Sequence, residues 1–174
     1  MKAVRWLCFF LIMTLIVITT GCQRKKTTAI ALMEDILSTN PRLPLGEVIY
    51  QSHALPGERS YMTQRLRSLL YDDGSERKLP EFEKVLDYAV CLSDGRYGAE
   101  IHIFHMASEA DARDMAKLLE RRLQRVKRRA IYLYAPEAYE NYFSSAVVVW
   151  EKEFAMLLST DNNEKILKDL RGKI

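Results

Sequence analysis

The stretch from Ser108 to Arg128 constrains the fold most. Ala112, Met115, Ala116, Leu119, Leu123 and Val126 recur at spacings of three and four, so a helix here carries one apolar stripe on an otherwise charged surface. Ser108 is suited to cap its N-terminus, with Asp111 at the acidic capping-box position. A stripe of this kind must be buried against another layer, and the flanking segments offer one. Asp87 to Ser93 and Ala99 to Met106 read as strands on either side of the turn Asp94-Gly95-Arg96-Tyr97-Gly98. Ala146 to Trp150 and Phe154 to Ser159 form a second hairpin around Glu151-Lys152-Glu153. The expected class is α+β in two layers, an antiparallel sheet of four to five strands with helices packed on one face. The run Val147, Val148, Val149 suggests a strand buried on both sides and places the second hairpin near the middle of the sheet.

The remaining elements are shorter. A helix over Ala29 to Leu37 carries Ile30, Met33, Ile36 and Leu37, and Asn40-Pro41 ends it. A strand at Glu47 to Gln51 precedes a loop containing Pro56-Gly57, and Tyr61 to Tyr71 reads as a helix with Leu66, Leu69 and Leu70 on one side. Pro80 to Lys84 suits one helical turn, and a final helix from Asp161 turns Ile166, Leu167 and Leu170 inward.

Location is written at the N-terminus. Lys2 and Arg5 precede a run, Trp6 to Ile18, that is almost wholly apolar, and Thr19-Thr20-Gly21-Cys22 follows. The run from Trp6 to Thr20 is shorter than the roughly 20 residues a membrane-crossing helix needs, and Gln23-Arg24-Lys25-Lys26 closes it. The order is that of a lipoprotein signal peptide over residues 1–21, with Thr19 where an aliphatic residue is usual. Cys22 would then take two acyl chains and a diacylglyceryl link, which is enough for stable anchoring to the cell membrane on its extracytoplasmic side. Residues 22–28 read as a polar basic tether and 29–174 as a single domain.

Charge and cysteine content narrow the function classes. The leader holds two of the chain's 26 basic residues and none of its 23 acids, and setting aside Arg24, Lys25 and Lys26 leaves 21 bases to 23 acids in the domain. A nearly neutral, exported domain lacks the basic face a nucleic-acid partner needs. Cys91 is the one thiol left after Cys8 and Cys22, so no disulfide can form within the domain, and it reads as an inert core side chain.

In order along the chain, the lipobox cysteine, the strand Asp87-Tyr88-Ala89-Val90, the second strand running into helix 108–128, Tyr134-Ala135-Pro136 with Tyr139, and Ala146-Val147-Val148-Val149 followed by Phe154 to Asp161 resemble the bacterial lipoproteins grouped as domain of unknown function 4358 (DUF4358). The resemblance spans about residues 44–170 and implies export and an α+β domain. It supplies no catalytic residue, cofactor or ligand.

The residues themselves show no catalytic or metal signature. His102 and His105 lie three apart on a strand, which turns them to opposite faces, one half-buried and one exposed, and keeps them from sharing an ion. Glycine-rich phosphate loops and Ser-based nucleophile motifs are missing, so no catalytic residue, metal or cofactor is expected and an enzyme is the second reading. Two clusters suggest a surface for binding. Arg121, Arg125 and Arg128 share one side of the long helix and could face anionic headgroups or wall polymer. Tyr132, Tyr134, Tyr139 and Tyr142 crowd around Pro136 and could form an aromatic platform. The expected role is a membrane-tethered binding or interaction module, through its lipid anchor and with an envelope protein or wall polymer as partner; an accessory subunit of an envelope complex is the further alternative.

Overall fold

A computed structural model of the chain describes residues 27–72, 79–93, 98–132 and 136–174. The expected signal peptide, Cys22, most of the tether, most of the first hairpin turn and Tyr134 lie outside these residues.

Five antiparallel strands form one sheet in the order β1-β2-β3-β5-β4, where β1 is Ile49–Gln51, β2 Val85–Leu92, β3 Glu100–Met106, β4 Val147–Glu151 and β5 Phe154–Ser159. Both expected hairpins form, and pairing of β3 with β5 joins them. Alternation along the central strands sends Tyr88, Val90, Phe104, Ala155 and Leu157 to one face and Ala89, Cys91, Ile101, Ile103, Met156 and Leu158 to the other. Each set is apolar, so each needs a cover.

The first face is covered by α3, Glu109–Tyr132, whose Ala112, Met115, Ala116, Leu119 and Leu123 are buried as the periodicity requires. Ser108 caps it, its Oγ accepting from Asp111 N at 3.2 Å. Beside it lies α2, Gln64–Tyr71, capped by Thr63. The opposite face is covered by α1, Ala29–Thr39, through Leu32, Met33 and Ile36, and by α4, Asn163–Arg171, through Ile166 and Leu170. The α+β class and the antiparallel sheet stand as expected. The layering does not: helices lie on both faces, because β2, β3 and β5 carry apolar side chains in both phases of their alternation and would otherwise leave one apolar face in water.

The strand Val147–Glu151 also departs from expectation. It sits at the sheet edge and is only half-buried, whereas its hairpin partner β5 is buried at every position. Three consecutive valines reflect β-propensity here, without two-sided burial. The π-helical turn Tyr139–Phe143 connects toward β4, with Phe143 buried in the α3-side core and Tyr139 and Tyr142 packed against it.

Candidate functional site

Polar side chains enter the core from three elements on the α3 side. Glu100 and His102 share a face because they are two apart on β3, Tyr71 is the last residue of α2, and Arg122 comes from α3. Arg122 Nε donates to Glu100 Oε1 at 3.1 Å, Nη2 donates to Oε2, and Nη1 donates to the Leu70 carbonyl at 2.9 Å. This is the fork geometry that suits guanidinium to carboxylate. Tyr71 Oη lies 2.6 Å from His102 Nδ1. With the phenol donating to Nδ1, the imidazole proton sits on Nε2, 3.6 Å from Glu100 Oε2 and without a hydrogen bond of its own.

All four groups are buried. Burial would raise the carboxyl of Glu100, yet the neighbouring Arg122 guanidinium outweighs it and holds its pKa down at about 2. Burial lowers the pKa of His102 against the pull of Glu100, so the ring stays neutral. Burial likewise pushes the Tyr71 phenol far up. One carboxylate, one guanidinium, one neutral imidazole and one neutral phenol therefore hold the end of α2, strand β3 and the middle of α3 together.

Above this network α3 opens into a cleft of about 380 Å³ lined by Tyr71, Asp72, Glu120, Arg121, Gln124, Arg125 and Arg128. The three arginines expected to share a side do so, at spacings of four and three. Arg121 Nη2 donates at 3.0 Å to Oε1 of Glu81, which lies outside this lining, Arg125 Nη1 donates to the Asp72 carbonyl within it, and Arg128 is exposed. Among the described residues the aromatic wall of this cleft is Tyr71, with Tyr139 and Tyr142 drawn instead to the core. Tyr132 closes α3.

His105 lies on the other face, as strand alternation requires. Its Nδ1 is 2.8 Å from Asp87 Oδ2, its ring stacks on Phe154 at 4.5 Å between centroids, and Asp87 Oδ1 accepts from Ala29 N at 2.5 Å. This carboxylate thus sits at the N-terminus of α1, where the helix dipole favours negative charge. The expected contrast of one half-buried and one exposed histidine is corrected, since both are buried. Sandwiching of the sheet leaves neither face of β3 open to water. Among the described residues no group of three or more His, Cys, Asp or Glu is placed to hold a metal ion, and Cys91 is buried.

Arg122 and Glu100 were not singled out by their charge, but their phase identifies them. Arg122 follows Leu119 by three and precedes Val126 by four, inside the apolar stripe, and Glu100 is in phase with the inward-facing Phe104. No family model matches this chain, and no curated protein or solved structure matches it either. Among the described residues no helix is long and apolar enough to cross a membrane.

Proposed function

We propose that the protein is a lipoprotein anchored to the cell membrane on its extracytoplasmic side, working as a non-catalytic binding module, and that its ligand surface is the arginine-walled cleft above Tyr71. The tether and location rest on the signal-like segment ending at Cys22 and on the resemblance to the DUF4358 lipoproteins. The observation that carries the binding role is the alignment of Arg121, Arg125 and Arg128 along one wall of a cleft. Guanidinium groups recognise planar or tetrahedral oxyanions through paired N–H donors, so the ligand is an anionic group, with phosphate the best match.

A binding role is favoured over catalysis by the state of the buried groups. The Tyr71, His102, Glu100 and Arg122 side chains turn to one another, and burial holds the phenol and imidazole neutral. Such an arrangement keeps α3 and its arginines rigid and engages the Tyr71 phenol with His102 rather than leaving it poised to move a proton.

The test is polyphosphate binding to the full chain in a neutral detergent, with Arg128→Gln compared to Arg129→Gln. Arg129 is exposed on α3 outside the cleft lining. The expected result is a loss of about three- to tenfold for Arg128→Gln, a smaller one for Arg129→Gln, and weakening with added salt. Equal losses in the two variants would mean diffuse attraction to the helix and would rule out the cleft.

A further inference from the structure

The edge strand β4 carries few of the usual guards against pairing with another strand, its one charge being the terminal Glu151, which is paired with Arg171 at 3.2 Å. It is five residues long, contains no proline and no lysine, and ends the sheet with one row of its backbone groups outside the β4–β5 ladder. Trp150 on this strand is 47% exposed, and with Val148 it lines an apolar groove of about 300 Å³ between β4 and α3, closed by Ala116, Arg113, Lys117 and Glu120.

The charges on the groove have a direction. Arg113 stands over the Trp150 ring, its Cζ 5.8 Å from the centroid, so the early part of α3 lies beside the C-terminal end of β4. Glu120, two turns further along α3, therefore lies toward Val148. The groove is cationic at its Trp150 end and anionic at its Val148 end.

We propose that β4 docks against β4 of a second copy of this chain, antiparallel across a two-fold axis through Val149. That register sets Val149 opposite itself and places each Trp150 beside the Val148 of the other copy, an aromatic to β-branched pair made twice on the groove face. It also brings Arg113 of each copy to Glu120 of the other, matching opposite charges at both ends. Lys117 falls nearest the axis and is paired with Asp114 at 2.8 Å, while Arg113 is paired with Glu109 at 2.5 Å in an exposed i,i+4 contact that the dimer exchanges for, or shares with, Glu120 of the other copy. A parallel pairing would bring like ends of the groove together and is disfavoured by the same charges.

The experiment is sedimentation equilibrium of the full chain in density-matched detergent, with charge reversals and a cysteine probe. The chain should be dimeric at concentrations on the order of 10 μM. Arg113→Glu and Glu120→Arg should each weaken the dimer about tenfold or more, and the double variant should restore it, since both positions are exposed and reversal leaves the core intact. Val149→Cys should form a disulfide-linked dimer on mild oxidation, because a residue facing itself in an antiparallel pair meets the Cα separation a disulfide needs. Val147→Cys should not, as its partner in this register is Glu151. A chain that stays monomeric at concentrations on the order of 100 μM overturns the proposal. So does a dimer indifferent to the charge reversals, or one that cross-links equally well through Val147.

Discussion

Arg122 leaves the charged surface of α3 to grip Glu100 on β3 from inside the core, with its Nε and Nη2 reaching both carboxylate oxygens. Every other arginine of that helix points to solvent or to the cleft rim in whole or in part, and this one is 8% exposed. Its remaining nitrogen, Nη1, reaches the carbonyl of Leu70 beside Tyr71, so one side chain ties a strand to two helices.

Arg122→Met should therefore cost about 3 to 5 kcal/mol, since it leaves a carboxylate buried without its countercharge. Adding Glu100→Gln should return most of that loss, because a neutral amide tolerates the site far better than an orphaned anion. Urea melts of the two variants check this. A single-variant cost below about 1 kcal/mol would show that water reaches Glu100 when the arginine is removed.

The same cluster sets an acid limit and an alkaline limit. Glu100 titrates at about 2 in the folded chain against 4.5 ordinarily, so the stability it contributes is full above pH 4.5 and is lost as pH falls toward 2. His102 has a lowered pKa in the fold, so the unfolded chain takes up a proton first as pH drops below 6.5, and stability begins to fall there. Tyr71 is raised, so the unfolded chain loses its phenolic proton first above pH 10 and stability falls again. Denaturant midpoints measured across pH should decline on both sides. His102→Gln should flatten the decline just below pH 6.5, and Tyr71→Phe should flatten the one above pH 10.

The order of elements was legible because each has a strong local pattern. The stripe on α3 and the period-two strands name the core residues directly, and Ser108 marks the helix start. Layering was harder to read. A strand such as β5 is apolar in both phases, and only the packing of α1 and α4 against Ile101, Ile103, Met156 and Leu158 reveals the second cover. The position of β4 was misread because a valine run signals strand preference equally at an edge and at a centre. For the cleft, helical spacing grouped Arg121, Arg125 and Arg128 correctly, whereas Tyr71 comes from another helix, and its place beside them depends on packing distant in sequence.

Cys22→Ala should abolish incorporation of labelled fatty acid and release the protein from the membrane fraction. Two acyl chains on Cys22 would account for stable anchoring, whereas the six polar residues after Cys22 would give at most a weak, salt-sensitive attraction. Continued labelling of the variant, or recovery of the unmodified chain with soluble cytoplasmic proteins, would refute the lipid anchor.

Leu119 and Arg125 test the orientation of α3 itself. Leu119 is wholly buried between the helix and the sheet, so Leu119→Ala removes apolar contacts and leaves a cavity, at about 2 to 5 kcal/mol. Arg125 is half-buried and donates to the Asp72 carbonyl, so Arg125→Gln should cost about 0.5 to 1.5 kcal/mol, the net worth of one hydrogen bond. Urea melts order the two variants. Domains of this size have about 5 to 15 kcal/mol in all, which makes the leucine change visible as a large fall in midpoint and the arginine change a small one. The binding readout should run the other way, with Leu119→Ala retaining polyphosphate affinity wherever it remains folded and Arg125→Gln losing it. If the arginine variant proved the less stable of the pair, α3 would have to be rotated from the orientation described, and the arginine wall of the cleft would be lost with it.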